Sequence, residues 1–173
     1  RVDVAAEFVA RNLQHELTEL RREITGLAAA PIVGTALTDS AGREAYLRPF
    51  LQQRAETLQA GITLRDYRGR PLLRLIGPGG TADGVAARNP VAEPAERFTR
   101  EGYEWTAPIS MFLDSRIIGA LEAQAPWSVL LQRASRGLDS EVQLALFRDD
   151  TLLDAGPGPL AVRQLPNRIV VTG

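Results

Sequence analysis

The sequence contains no cysteine, so disulfides, thiolate metal sites and cysteine nucleophiles are excluded together. Histidine is nearly as scarce. The single one, His15, falls on the outer side of the first helical pattern, where an imidazole without a partner is a solvated surface group rather than a catalyst. One histidine and no cysteine also leave too few nitrogen and sulfur donors for a zinc or copper centre. No apolar run approaches the roughly 20 residues that cross a bilayer, and no leader-like segment opens the chain. Nor is one sign of charge in surplus: 20 basic and 21 acidic side chains give a net charge of −1. The arginines are scattered, so neither nucleic acid nor an anionic membrane surface is an expected partner.

What is present is an ordinary globular composition, with 45% hydrophobic and 24% charged residues in a chain of 173. That length forms one good-sized core, or one module plus a fragment of a second. The strongest local signal runs from Glu104 to Gln124. Trp105, Ala107, Ile109, Met111 and Leu113 alternate onto one face, and Ile117, Gly119, Leu121 and Ala123 do the same after the polar turn Asp114-Ser115. Period-2 alternation of this length predicts two half-buried strands joined as a hairpin. The segment behind it, PWSVLLQRAS, reads as a helix.

Upstream, Leu13, Leu17, Leu20, Ile24 and Leu27 recur at spacings of four and three, which predicts one long helix from Val2 to about Ala30. The seam is of the kind that two helices bury between them, with Glu16 and Arg21 placed to pair across a parallel dimer. The plainer alternative is an amphipathic helix docked on its own core. Pro31 ends or kinks it. A second helical stretch carries Leu47, Phe50, Leu51 and Leu58, with Pro49 in its first turn and Gly61 expected to close it. Ile62 to Leu75 reads as a hairpin turning at Tyr67–Arg70. Ile76 to Gly102 is rich in Gly, Pro and Ala and carries no regular pattern. Loops of that length are functional or unstructured as a rule. Val142 to Leu153 echoes the Ile62–Leu75 pattern around Asp149-Asp150, and a last strand is expected at Arg168–Val171.

The order of these pieces resembles the extracytoplasmic PAS-like sensor modules called Cache domains. The resemblance rests on Tyr46-Leu47-Arg48-Pro49-Phe50-Leu51, on the spacing Leu64-x-Asp66-x-x-Gly69-x-x-Leu72, and on the later group Ala107-Pro108-Ile109, Asp114-Ser115-Arg116, Ile118-Gly119-Ala120-Leu121 and Val129-Leu130-Leu131. It implies an α+β fold: a long N-terminal helix (1–30), a PAS-like antiparallel sheet flanked by helices (31–138), and a rudimentary or truncated second module or hairpin extension (139–173). It also implies the periplasmic or extracellular part of a bacterial inner-membrane signalling protein, of histidine kinase or diguanylate cyclase type. The chain starts without Met inside a helical pattern, so it is expected to be cut from a longer protein whose membrane spans flank it. A homodimer through the first helix is expected.

No catalytic constellation emerges, and the segment itself is not expected to be an enzyme or to carry a cofactor. Ser110, Ser115 and Ser128 lack a nucleophile-elbow context. Gly77–Gly84 lacks the Gly-Lys-Ser/Thr ending of a phosphate loop. Asp149-Asp150 falls short of a calcium cage. What remains is a binding set: Arg97, Arg100, Tyr103 and Trp105 lie close together around the start of the central hairpin. Arginine holds carboxylates by paired hydrogen bonds and aromatic rings line small-molecule cavities, so a carboxylate or an amino acid is the expected ligand class. The resemblance implies ligand contacts from the same strands and from the preceding loop. An interaction or dimerisation module that is PAS-like in shape and binds no small ligand is the competing expectation.

Overall fold

The first helix, α1, spans Val2–Ala28 because its apolar stripe repeats with helical period and no proline interrupts it. The computed structural model describes residues 2–77, 93–111, 115–138, 143–148, 151–155 and 170–172. Ala30, just before Pro31, is extended at φ −70° and ψ 130°, the geometry a following proline imposes. Pro31 then opens a short helix, α2 (Pro31–Thr35), where its missing N–H costs nothing. Asp39 caps a single turn, α3 (Ser40–Gly42), by accepting the Gly42 N–H at 2.9 Å. A π-helical turn at Arg43–Leu47 leads into α4 (Arg48–Leu58). The left-handed residue that ends α4 is Gln59, at φ 51°, and not the expected Gly61. Gly61 instead opens the first strand, where an added Cβ would lie 3.3 Å from the Leu75 carbonyl oxygen.

Five strands build the main sheet: β1 (Gly61–Asp66), β2 (Pro71–Leu75), β3 (Ala95–Phe98), β4 (Gly102–Ser110) and β5 (Ile117–Pro126), in the order β2-β1-β5-β4-β3. Pairing is antiparallel, with Ile62 opposite Leu75 and Ala123, and Leu64 opposite Leu73 and Leu121. Those residues are buried, so one face of β2-β1-β5 is aliphatic. Each of the leucine and isoleucine side chains contributes about 1.5–3 kcal/mol by leaving water. At the turn end of the central hairpin Met111 N–H donates to the Arg116 carbonyl at 2.9 Å, while Ser115 takes a left-handed φ of 55°. Leu113 and Asp114, read as strand and turn, lie outside the described residues. The α+β class, the long N-terminal helix and the antiparallel sheet agree with the sequence reading. Strand β3 does not: it lies inside the stretch read as irregular, and its four residues are all exposed, so no buried alternation marks it.

Backbone contacts group the chain into two compact units. One holds Glu19–Thr99 and Tyr103–Pro126, with Leu20, Ile24, Leu47, Leu51, Ile62, Leu64 and Leu121 in its core. The other holds Arg1–Thr18, Arg100–Gly102 and Trp127–Gly173. It contains α5 (Trp127–Ala134) and a three-stranded sheet, β6 (Gln143–Arg148), β7 (Thr151–Ala155) and β8 (Val170–Thr172), ordered β7-β6-β8. Here Asn12 Nδ2 donates to the Ala134 carbonyl at 3.0 Å and Glu16 pairs with Arg133 at 2.6 Å. Asp149, Asp150 and the Gly156–Pro159 stretch lie outside the described residues, as do Gly80 and Gly84 of the glycine-rich segment.

The α1 seam is occupied by this chain itself. Leu13, Leu20, Ile24 and Leu27 are all buried, Leu17 is half-buried, and Glu16 and Arg21 have ion-pair partners inside the chain. His15 is exposed, as its helix position suggested.

Candidate functional site

Alternation along β4 puts Tyr103 and Trp105 on the same side of the strand, opposite Phe98 and Glu96 of β3 respectively. Helix α1 meets that side with Arg21 and Thr25, which are one turn apart and so share a helix face. Arg21 Nε donates to the Tyr103 hydroxyl at 2.5 Å, and its guanidinium also pairs with the Glu96 carboxylate. The Tyr103 hydroxyl in turn donates to Glu96 Oε2 at 3.2 Å. The guanidinium carbon lies 5.5 Å from the Tyr103 ring centroid and 5.4 Å from that of Trp105, a double cation–π contact. Trp105 Nε1 donates to Thr25 Oγ1 at 3.2 Å, and Phe98 packs edge-on against Tyr103 at 5.3 Å. Tyr103 is fully buried. Burial pushes its phenol up to about 12, with the Glu96 carboxylate adding to the rise and Arg21 opposing it.

Of the four expected binding residues, the structure therefore brings Tyr103 and Trp105 together, against α1. Arg97 lies opposite Glu104, the neighbour on the other side of β4, with its guanidinium 3.8 Å from that buried carboxylate. Arg100 is exposed and falls in the unit that contains Trp127–Gly173. Arg21, Thr25 and Glu96 complete the cluster; from sequence Arg21 was expected only to pair with Glu16 across a dimer, and Thr25 and Glu96 were not singled out. The only available hint was the pair Arg21/Thr25 beside the Leu20–Ile24 seam.

A second polar group is buried within β1 and β5. Arg65 Nε lies 3.2 Å from Glu122 Oε2, and Arg65 Nη1 donates to the Gly69 carbonyl at 3.0 Å. Thr63 sits directly opposite Glu122 and is buried with it. Among the described residues no buried side-chain nitrogen or oxygen lacks a partner. The group therefore reads as a satisfied internal network that fixes the β1–β2 turn.

The open feature of the same unit is a groove of about 1300 Å³ at the corner between α1 and α2. One wall is the small-residue run Ala28-Ala29-Ala30-Pro31 with Gly34; the other comes from Leu72, Ile109, Met111, Ile117 and Ile118. Its charged lining consists of Asp66, Arg70 and Arg116. Burial opposes ionisation of Asp66, but hydrogen bonds from the Arg70 backbone and guanidinium and from the Arg68 N–H outweigh it and hold the carboxyl below its usual range. Arg70 Nη2 lies 2.8 Å from Asp66 Oδ2, closing the pair. The carboxylate in the described lining, Asp66, is engaged by Arg70 and the Arg68 N–H. Among the described residues no set of three or more metal-binding side chains converges, and no helix is long and apolar enough to cross a membrane. The groove can hold a molecule and orient it by charge. It was invisible in sequence because its described walls come from four separated stretches, 28–38, 66–72, 109–111 and 116–118.

No family model matches the chain, and no curated protein does. Among solved structures, the crystal structure of the V. cholerae histidine kinase DctB sensor domain is similar, with a TM-score of 0.65 at 15% identity. The similarity covers 88% of this chain but 64% of that one, so the chain spans less than two thirds of the sensor domain it resembles. At this identity the likeness is one of fold, and it agrees with the long helix and antiparallel PAS-like sheet described above.

Proposed function

We propose that the chain is an extracytoplasmic ligand-sensing domain of a membrane-bound bacterial signalling protein, with the groove beside α2 as its small-molecule site and α1 as the element that reports occupancy. One observation carries the reading: Ala28, in the last turn of α1, is part of the groove wall, while Arg21 and Thr25 of the same helix are bonded to the sheet. A ligand seated against Ala28 acts on a helix end held to the sheet by its buried Ile24 and Leu27 together with these polar contacts. Binding that favours one helix position over another shifts the population between them by its difference in affinity. The sensor-domain likeness supports the general reading, and an output of histidine kinase type is part of the proposal.

In this proposal the ligand-contact role expected for Tyr103 and Trp105 becomes a coupling role, because their polar atoms already bind α1. Arg97 and Arg100, both exposed, contribute to drawing anions toward the domain.

The absence of cysteine makes the test clean. Labels at Arg22→Cys on α1 and Arg68→Cys on the β1–β2 turn report the helix–sheet distance, and thermal melting against small carboxylates, amino acids and amines reports binding. A ligand that raises the melting temperature should also change the label distance. A flat melting response across the panel would favour the competing interaction module, and saturation by a ligand without any change in distance would remove α1 as the reporter.

A further inference from the structure

Asp66, Tyr67 and Arg70, from the turn between β1 and β2, form the rim of the groove. Backbone pairing thins out where that rim begins. Strand β1 pairs with β5 as far as Asp66 opposite Gly119, so Tyr67, Arg68 and Gly69 project beyond the ladder. On the β2 side the register shifts at Arg65. Leu64 lies opposite Leu73 but Arg65 opposite Pro71, which leaves Leu72 as the extra residue of a bulge. Leu72 is part of the groove wall, and Pro71 has no N–H to give to the ladder.

Arg65 supplies a tie at this point. Successive strand residues point to opposite faces, so Arg65 shares the face of Thr63 and Glu122, while Asp66 beside it lines the groove on the other face. The Arg65 guanidinium is 3.2 Å from Glu122 Oε2, and its Nη1 donates to the Gly69 carbonyl at 3.0 Å. Gly69 closes the turn at φ 76°, with its own N–H on the Asp66 carbonyl at 2.9 Å. The Asp66 carboxylate accepts the Arg68 and Arg70 N–H groups, each at 2.9 Å, and shapes the turn from within. Those contacts are local. The Arg65–Glu122 pair bridges 57 residues and ties the turn to β5, whose first residues, Ile117 and Ile118, also line the groove. An apolar pair of similar size would join the two strands as firmly as the buried charges do. It could not donate to a carbonyl at the end of the turn.

On the reading of the groove as the small-molecule site, we propose that Arg65, held by Glu122, is its positioning residue: it fixes the Asp66–Arg70 rim in one arrangement, so that affinity depends on a charge pair the ligand does not touch.

The joint variant Arg65→Met with Glu122→Leu removes the donor to Gly69. Arg65→Lys is the second variant, because it keeps the cation and loses the planar fork that reaches both partners. Each is made in the cysteine-free 173-residue chain with a nitroxide at Arg68→Cys, or at Arg22→Cys on α1 as the control. Motion of the label at Arg68→Cys should become about twofold faster in both variants and stay unchanged at Arg22→Cys. Melting scans of the unlabelled wild type with acetate, succinate, glycine, glutamate, ethanolamine and putrescine select the most stabilising probe. Calorimetry with that probe should give an affinity about tenfold weaker in both variants, as for a rim in its binding arrangement about a tenth of the time. Gly34→Leu, where an added Cβ meets nothing within 4 Å, should abolish binding of the probe by filling the groove.

Unchanged motion at Arg68→Cys in both variants overturns the proposal whatever the groove binds. Faster motion with equal affinity overturns it too, since rim order then has no bearing on binding. Binding that survives Gly34→Leu, or a wild type that none of these probes stabilises, removes the groove reading itself, and the proposal with it.

Discussion

Arg65 and Glu122 face each other across β1 and β5 at 3.2 Å, with side chains 2% and 8% exposed. A charge pair this deep stabilises through completeness, because each member is costly to bury alone. Glu122→Gln or Arg65→Met should each destabilise the chain by about 3–5 kcal/mol, whereas the joint replacement Arg65→Met with Glu122→Leu should recover most of the loss. Urea denaturation of the three variants checks this; additive losses in the double variant would show that the pair does not act as a unit.

The tie between α1 and the sheet should behave as a network. Arg21→Met and Tyr103→Phe are each expected to cost about 1 kcal/mol, discounted because Arg21 is about a third exposed. Together they should cost less than the sum, since both remove the same hydrogen bond. A double-mutant cycle on the melting transition measures the coupling. Thr25→Val, which removes only the acceptor for Trp105 Nε1, should cost about 0.5–1.5 kcal/mol and add to either one.

Tyr103 also sets an alkaline limit. Its phenol is raised to about 12 in the fold, against an ordinary value of about 10, so the protonated form is the one the fold favours. The corresponding stability is complete below about pH 10 and is lost as pH rises through about 12. Melting temperatures between pH 8.5 and 11.5 should fall more steeply for the wild type than for Tyr103→Phe, so the gap between them narrows with rising pH. Parallel curves would mean that the phenol ionises alike in both states.

Gly119 is a steric requirement of the sheet. An added Cβ would lie 2.5 Å from the Arg65 carbonyl oxygen and 2.9 Å from the Leu37 side chain. Gly119→Ala should cost about 1–3 kcal/mol by overpacking. Adding Leu37→Ala should leave most of that cost in place, because the closer obstacle is backbone. Full rescue in the double variant would identify Leu37 as the true barrier.

Much of this architecture is legible in the sequence for a simple reason. Helix α1 and the hairpins β1–β2 and β4–β5 each carry an apolar period long enough to declare its element, and Pro31 and Pro49 fall where helices begin. Strand β3 is silent because Ala95–Phe98 buries no face. The π-helical turn at Arg43–Leu47 is silent because one widened turn leaves the surrounding periodicity intact. The α1 seam is legible as a seam, but not the identity of what covers it, since a partner helix and the chain's own core demand the same leucines. Tyr103 and Trp105 stand out from the strand pattern, yet Arg21 lies 82 residues before Tyr103 and no local pattern links them.

Thr25 precedes Ala28 by three residues, about 4.5 Å along the axis at 1.5 Å of rise per residue. The hydrogen bond from Trp105 Nε1 and the groove wall therefore meet within a single turn of α1, so whatever displaces Ala28 is felt first at that bond.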